Sequence, residues 1–192
     1  MASRREFIQS SLAVSAAALA ATPAAAAGGV MPIRMALYDR RFAPGRAFGG
    51  EAERLGLQTR PIEGDVTGLW TDELALQWAG DPAPIAGLTA TNSLFCLEQL
   101  ARDHGMRVVF RIEHSAAGAK GVEHACFGPT VLVRQASDLG LTGSAWGADV
   151  ARLLVRCPAQ VGTIAAALLA ARSLKGSGEP LVSWIIAPIR RG

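Results

Sequence analysis

Met106-Arg107-Val108-Val109-Phe110-Arg111-Ile112-Glu113-His114 is the stretch in which apolar and polar side chains alternate most regularly along this chain. Every second residue of a β-strand points to the same face of the sheet. A strand here therefore places Val108, Phe110, Ile112 and His114 on one face and the arginines and Glu113 on the other. The segment predicts a strand with an apolar inner face, and it predicts that His114 ends a buried strand.

Three similar apolar runs precede this strand, and a segment with helical spacing follows each of them. The predicted strands are residues 33–38, 57–62 and 84–88, and the predicted helices are residues 46–55, 66–78 and 93–104. Strands that alternate with helices through short connections favour a parallel sheet with right-handed crossovers. We therefore predict a single three-layer α/β domain over residues 28–192, with a parallel βαβαβαβ N-terminal half.

Beyond His114 the pattern is less regular. Small residues at 115–121 predict a hairpin loop that leads into a strand at 122–127, and the short apolar run at 131–133 fits a strand or a helix equally. Further predictions are a glycine-rich loop at 140–147, helices at 148–155 and 161–174, a turn at 175–180 and a buried strand at 181–186. The C-terminal half is thus predicted to be more helical and to end in a strand, within a mixed sheet.

The first residues have the layout of a secretory signal, which combines a basic start, an apolar core and small residues at a cleavage site. Arg4 and Arg5 provide the basic start, residues 10–21 provide an alanine-rich core, and cleavage is expected after Ala26 or Ala27. The core contains few large apolar side chains, whereas a membrane span needs about 20 predominantly apolar residues. We expect a cleaved signal over residues 1–27 and no stable membrane anchor.

The paired Arg4 and Arg5, followed by Phe7 and Ile8, resemble the twin-arginine (Tat) export signal of bacteria. The resemblance covers about residues 1–28 and nothing beyond them, and the alternative is an ordinary Sec signal that carries two arginines. It implies export in the folded state to the periplasm through the Tat translocase. It also implies that the cargo often carries a cofactor inserted in the cytoplasm, or travels with a co-exported protein that carries one. The identity of any cofactor stays open.

Charge and cysteine content exclude several functional classes. The formal net charge is +3, and no run of basic residues is longer than two. Without a polybasic patch, nucleic acid is not an expected partner. The three cysteines are Cys96, Cys126 and Cys157, an odd number without a C-x-x-C pair. Cys96 is predicted to be buried in an apolar run, and pairing of Cys126 with Cys157 is left open.

Candidate binding and catalytic residues follow the predicted strands, because ligands of open α/β sheets bind beyond the carboxyl ends of the strands. Asp39, Asp65 and His114 are the acid/base candidates at this edge. The candidates for ligand binding are Arg40, Arg41, Thr89 and Asn92, since arginines bind carboxylates or phosphates and the others are good hydrogen-bonding groups. The alternative for each is an ordinary strand-end polar residue or helix cap.

A metal site of His114, His124 and Cys126 is a further candidate, because alternation places His124 and Cys126 on one strand face. The three residues lack a recognised ligand spacing. Neither G-x-G-x-x-G nor G-x-x-x-x-G-K-[ST] occurs, so the two common nucleotide fingerprints are missing. Trp70 and Trp78 lie on one face of a predicted helix and belong either to the core or to a surface that faces a partner.

Two functions remain in competition. The first is a Tat-exported, non-catalytic protein, either a binding module or an accessory subunit of an exported oxidoreductase. The second is a small periplasmic enzyme with a strand-end site that uses Asp39, Asp65 and His114. Convergence of these groups on one pocket would favour the enzyme, and an exposed apolar patch would favour the subunit.

Overall fold

A computed structural model describes residues 29–116, 121–139, 146–160, 162–172 and 179–188. The predicted signal, with Arg4 and Arg5, lies outside the described residues. Most of the predicted loop at 140–147 and of the predicted turn at 175–180 also lies outside them. None of the helices in the described ranges is both long enough and apolar enough to cross a membrane.

The described residues form one sheet with helices between most of its strands. The strands are β1 (Met35–Asp39), β2 (Gln58–Ile62), β3 (Ile85–Ala90), β4 (Met106–Ala116), β5 (Gly121–Pro129), β6 (Ile164–Arg172) and β7 (Leu181–Pro188). The helices are α1 (Ala43–Arg54), α2 (Thr67–Leu69), α3 (Ala75–Gly80), α4 (Thr91–Asp103), α5 (Thr130–Leu139) and α6 (Trp146–Leu154), and a π-helical segment (Trp70–Leu74) joins α2 to α3.

The predicted mixed α/β fold is confirmed: the seven strands follow the order β2-β1-β3-β7-β4-β5-β6. β1 pairs in parallel with both β2 and β3. One detail differs from the predicted parallel half, because β7 inserts between β3 and β4 and is antiparallel to both. β4 therefore runs in the same direction as β3 without pairing with it. β7 is buried at seven successive positions, and a central place in the sheet covers both of its faces.

The predicted helix at 161–174 is wrong: this segment contains β6, which pairs antiparallel with β5 from Gly121↔Arg172 to Pro129↔Ile164. Alanine and leucine favour helices locally, but such preferences are small beside tertiary pairing. In the strand, β6 satisfies the outer hydrogen-bonding groups of β5, and Ala165, Ala167 and Leu169 pack against the core. β4 and β5 pair antiparallel, as a hairpin requires, and residues 117–120 of the predicted hairpin loop lie outside the described residues. The ambiguous run at 131–133 lies in α5.

Two apolar cores lie on opposite faces of the sheet, as the alternation in β1 shows. Ala36 belongs to the first core, which contains residues of α1, α5 and α6. Met35 and Leu37 belong to the second core, which contains residues of the π-helical segment, α3 and α4. Nearly every large apolar side chain of the central strands is therefore removed from water, which is the main stabilising term of the fold.

A β-bulge interrupts the alternation that predicted β4. The pairing with β7 shifts between Val108 and Phe110, so that Val109 is an extra residue in the strand. Val108 consequently packs against the second core, whereas Phe110 and Ile112 lie in the first. The prediction that these three side chains share one face is correct for the last two only.

Two side-chain predictions on the helices are settled by burial. Trp78 is buried, and Trp70 packs edge-on against it with 6.0 Å between the ring centroids. This pair thus belongs to the core rather than to a partner-facing patch. Cys96 is exposed, contrary to the prediction. The buried stripe of α4 runs through Leu94, Leu97 and Ala101, and Cys96 lies outside it.

Candidate functional site

Asp39, at the end of β1, is the centre of a charged cluster at the carboxyl edge of the parallel strands. Its side chain is completely buried. The carboxylate accepts hydrogen bonds from the Arg41 guanidinium, with distances of 3.0 Å from Nε to Oδ1 and 2.7 Å from Nη2 to Oδ2. The backbone N–H of Arg41 donates to Oδ1 at 3.1 Å. Hydrogen bonding to Asp39 raises the pKa of Arg41. The buried charge of Asp39 is thereby compensated within its own loop.

Further ion pairs extend this cluster over the ends of neighbouring strands. Arg40 donates from Nε to Oε1 of Glu63 at 2.8 Å, which links the end of β1 to the end of β2. Arg41 Nη2 lies 3.7 Å from Oε1 of Glu179, just before β7. Arg46 Nη1 donates to the backbone oxygen of Arg40 at 2.7 Å. The structure therefore brings charged side chains from the ends of β1 and β2 and from the start of β7 together, and these charges pair with one another.

Gly64 allows the close contact between the β2 loop and Arg41. Its φ of +87° is favourable for glycine, and a Cβ at this position would lie 2.7 Å from Nη2 of Arg41. The Gly64 carbonyl oxygen accepts a 2.7 Å hydrogen bond from Oγ of Ser93 on α4. The loop after β2 thus contacts both Arg41 and α4, so the position of the charged cluster is fixed by the surrounding fold.

Three other predicted site residues have local structural roles. Asp65 Oδ1 accepts 2.8 Å and 2.7 Å hydrogen bonds from the backbone N–H and the hydroxyl of Thr67, and these bonds lower the pKa of Asp65. Thr89 Oγ1 accepts a 3.1 Å hydrogen bond from Nε1 of Trp184. Asn92 Oδ1 accepts a 2.9 Å bond from the Ser93 backbone at the start of α4. Each of these side chains already satisfies groups of the fold.

His114 and His124 form a buried pair across β4 and β5. Their Nδ1 atoms are 2.6 Å apart, and Nε2 of His114 lies 2.7 Å from Oγ of Ser183. The ring of Trp146 covers the pair, with its centroid 4.2 Å from that of His114. Burial, and next the neighbouring His124, lower the pKa of His114 well below its usual 6.5. His114 is therefore neutral at neutral pH.

The hydrogen bonds of this pair form a short proton chain with two possible directions. A neutral imidazole has one donor and one acceptor nitrogen. If His114 donates from Nδ1 to His124, its Nε2 accepts from the Ser183 hydroxyl, and the reverse tautomer donates to Ser183. The chain resembles a nucleophile–base–orienter arrangement in its geometry. Ser183 is nevertheless completely buried, so a substrate cannot reach its hydroxyl.

Ser183 and Trp146 were missed as members of this cluster. Ser183 carries the one hydroxyl in the otherwise apolar run 181–186, and a hydroxyl in a buried strand needs a partner. That signal pointed to a buried polar contact. It did not name His114 as the partner, because β7 and β4 become neighbours only through the topology of the sheet.

The predicted metal ligands do not assemble into a recognisable centre. His114 pairs with His124 in the register of the sheet, whereas Cys126 pairs with Ile112 two residues along each strand. Burial raises the pKa of Cys126 to about 11, so its side chain is a thiol at neutral pH. In the described ranges, no group of three or more His, Cys, Asp or Glu side chains could hold a metal ion. The three cysteines are free thiols.

Two further surfaces are absent from the sequence-based candidates. A groove of about 890 Å³ lies at the amino edge of β1, β3 and β4, opposite the charged cluster. The second surface is an apolar face on β5 and β6, formed by Phe127, Ile164, Ala166 and Leu168. Phe127, Ile164 and Leu168 have exposed fractions of 46%, 69% and 67%. No family model, curated protein or solved structure matches this chain.

Proposed function

We propose that this chain is a Tat-exported periplasmic protein that acts without catalysis, as an accessory subunit that binds a co-exported protein. The observation that carries the proposal is the β5–β6 apolar face. Large apolar side chains on a protein surface are unremarkable when scattered singly, but a contiguous patch next to an open sheet edge is typical of a binding surface. This surface takes the place of the tryptophan patch considered from the sequence.

Cross-strand pairing makes the apolar face contiguous. Phe127 of β5 lies directly opposite Ala166 of β6, and Ala125 lies opposite Leu168. Directly opposed residues in an antiparallel pair have Cβ atoms about 4.5–5.5 Å apart, so these side chains adjoin. The other face of β6 packs against the first core through Ala165, Ala167 and Leu169. The exposed side chains are thus an additional apolar surface on a strand whose inner face is already covered.

The edge of the sheet next to this face is also open. In the described part of the chain, β6 pairs with β5 alone and forms the end of the sheet. An edge strand presents backbone N–H and C=O groups that can pair with a strand of another chain. Residues 164–171 contain neither a charge nor a proline. A partner that adds a strand to β6 would satisfy these groups and cover Ile164 and Leu168 in the same step.

Polar residues border the face on the side of β4. Arg111 lies opposite Phe127, and Glu113 lies opposite Ala125. The Arg111 guanidinium contacts the Glu113 carboxylate at 2.9 Å, and both side chains are partly exposed. An apolar centre with a polar rim is the usual composition of a protein–protein interface. The arrangement therefore supports a specific protein partner.

The alternative of a small periplasmic enzyme has weaker support from the geometry. Asp39 is neutralised by Arg41, Asp65 accepts a hydrogen bond from the Thr67 backbone, and His114 is a buried neutral ring bonded to His124. A general acid or base has to reach the substrate through a hydrogen bond. The three groups are occupied separately instead of converging on a common cavity.

The export part of the proposal is supported by the residues of the signal alone. Replacing Arg4 and Arg5 by lysines should abolish export if the Tat translocase carries this chain. The measurement is the amount of mature protein in the periplasmic fraction. Export at an undiminished level would assign the signal to the Sec pathway and would remove the reason to expect a co-exported partner.

The subunit role is tested by the mass of the native complex. We expect the exported protein to purify as a complex with a second, different polypeptide. Leu168→Lys should dissociate that complex, because a charge would have to be buried in an apolar contact. Leu76→Lys is the matched control, since Leu76 is 75% exposed on α3 and lies outside the apolar face. A monomer in the wild type, or equal effects of both substitutions, would contradict the proposal.

A further inference from the structure

The groove at the amino edge of the sheet is built from five chain segments that meet there. Residues 31–34 and 81–84 lead into β1 and β3, β4 contributes Arg107 and Val109, β7 contributes its last two residues, and residues 159–160 follow α6. The volume of about 890 Å³ lies within the range of about 300–1,000 Å³ that is typical of small-molecule sites. The groove is therefore large enough for a ligand of moderate size.

Backbone hydrogen bonds hold the walls of the groove in place. The Met31 N–H donates to the Cys157 oxygen at 2.7 Å, and the Ala159 N–H donates to the Gly29 oxygen at 2.9 Å. On the opposite side, the Arg34 N–H donates to the Pro84 oxygen at 2.8 Å. A groove that is formed in advance loses little conformational entropy when it binds a ligand.

Polar and apolar surface contribute about equally to the walls, and the backbone of the walls is poor in hydrogen-bond donors. Met31, Ile33, Val109 and Ala187 belong to or pack against the first core and line the groove. Four lining residues are prolines, which have no backbone N–H. A ligand that bound by accepting many backbone hydrogen bonds would find few donors here. The apolar part of the lining instead suits a ligand with an apolar body.

Arg107 supplies the charge of the groove. Arg34 and Asp81 neutralise each other through a 3.2 Å contact in which both side chains are well exposed. No acidic side chain in the described ranges forms an ion pair with Arg107, which is exposed and lines the groove. The bulge at Val109 places that residue beside the first core, and Val109 lines the groove together with Arg107. An arginine in such a place binds carboxylates through two parallel hydrogen bonds.

We propose that this groove binds a small amphipathic carboxylate, with its apolar body against Met31, Ile33 and Val109 and its carboxylate on Arg107. The site lies at the opposite edge of the sheet from the charged cluster and is distinct from the β5–β6 apolar face. It does not depend on the accessory-subunit role, because a free or a partner-bound chain presents the same groove.

Calorimetric titration of the full-length chain with octanoate, octan-1-ol and octylamine tests the site. We expect saturable binding of octanoate with a Kd below about 1 mM. Binding of the alcohol and of the amine should be at least about tenfold weaker, since neither can accept the paired hydrogen bonds of a guanidinium. Octylamine binding as tight as octanoate binding, or no saturable octanoate binding, would overturn the proposal.

Three variants locate the binding. Arg107→Met keeps an apolar stem and should weaken octanoate about tenfold or more, whereas Arg134→Met, an exposed residue of α5 outside the groove, should leave the affinity unchanged. Ala83→Trp fills the groove and should abolish binding of every probe. Thermal unfolding of each variant confirms that it is folded. Unchanged octanoate affinity in folded Arg107→Met or Ala83→Trp would show that the carboxylate binds elsewhere.

Discussion

The two edges of the sheet are built in opposite ways. β2 contains Pro61, which cannot donate a backbone hydrogen bond, and Arg60, which pairs with Glu73 of the π-helical segment at 2.8 Å. Residues 164–171 of β6 include neither a proline nor a charged residue, and the exposed large side chains among them are apolar. Proline and charge on an edge strand are the usual protection against pairing with another chain. Among the described residues, the β2 edge is thus protected and the β6 edge is open, which is why we propose β6 as the binding site of a partner.

The largest expected effect comes from placing charges within residues 164–171 of β6, which are uncharged. In the double variant Ile164→Lys and Leu168→Lys, we expect partner affinity to fall by at least about 100-fold, since each change removes a central apolar contact. The free energy of unfolding of the isolated chain should change by less than about 0.5 kcal/mol, because both positions are exposed. Binding is measured by calorimetry and stability by urea denaturation. A large loss of stability with intact binding would reverse the interpretation of this edge.

The second largest effect concerns the strands between the edges, where His114 and His124 join β4 to β5. The pKa of His114 is depressed in the folded state, so below pH 6.5 the unfolded chain binds more protons and stability falls as the pH falls. From pH 6.5 to pH 5 the loss attributable to His114 should stay below about 2 kcal/mol, the upper limit for one proton over this interval.

Urea denaturation at a series of pH values provides the measurement for His114, and His114→Gln is the comparison variant. The variant should be less stable at pH 7.5 but should lack part of the acid dependence. Hydrogen exchange at pH 5 should show β4 and β5 opening before β1 and β2. Identical pH profiles for the two proteins would contradict the role assigned to His114.

A third, smaller effect is expected from removing the protection of β2. In the double variant Arg60→Val and Pro61→Val, the strand gains a backbone donor and loses its charge. We expect concentration-dependent self-association, visible in sedimentation velocity at concentrations where the wild type does not associate further. The matched change on β6, Ala165→Val and Ala166→Val, should not increase self-association, because it does not expose a further unprotected edge. Sedimentation of the β2 variant that matched the wild type at all concentrations would show that proline and charge are not what guard this edge.

The smallest effect is expected from the ion pair of β2 by itself. Arg60→Met removes the contact with Glu73 but retains much of the apolar stem. Both partners are partly exposed, so the loss should be about 0.2–1 kcal/mol of stability and should shrink at high salt. Urea denaturation at low and high ionic strength measures it. A loss well above this range, or one insensitive to salt, would show that Arg60 acts through packing.

The sequence predicted the parallel βα units well because their signals are local. The helical stripe through Leu94 and Leu97 follows from side-chain spacing and is present in the structure. The alternation around Phe110 correctly predicts a strand, although the bulge at Val109 interrupts it. The helix predicted at 161–174 was wrong because the strand found there, β6, depends on a contact that is distant in the sequence. A run such as Ala165–Ala171 has a local preference for helix, and only the presence of β5 beside it makes the strand more favourable.

The candidate site was predicted in part. Strand direction was enough to place Asp39 and Arg40, which follow β1, at the same edge as Asp65, which follows β2, since parallel strands end together. It could not show that Arg41 folds back onto Asp39, because that contact depends on the turn of the loop and on the absence of a side chain at Gly64. Residue type suggested His114 and His124 as joint candidates. The hydrogen bonds of His114 to His124 and to Ser183, however, depend on the register of three strands.

The sequence by itself determined the mixed α/β class, most of the strands and helices, and the balance of charge, because these depend on the spacing and type of neighbouring residues. Only the tertiary structure decided the insertion of β7 between β3 and β4, the burial of the histidine pair, and the positions of the groove and the β5–β6 apolar face. Those features arise where segments distant in the chain meet. Their free energy comes from contacts between elements, and no local pattern records it.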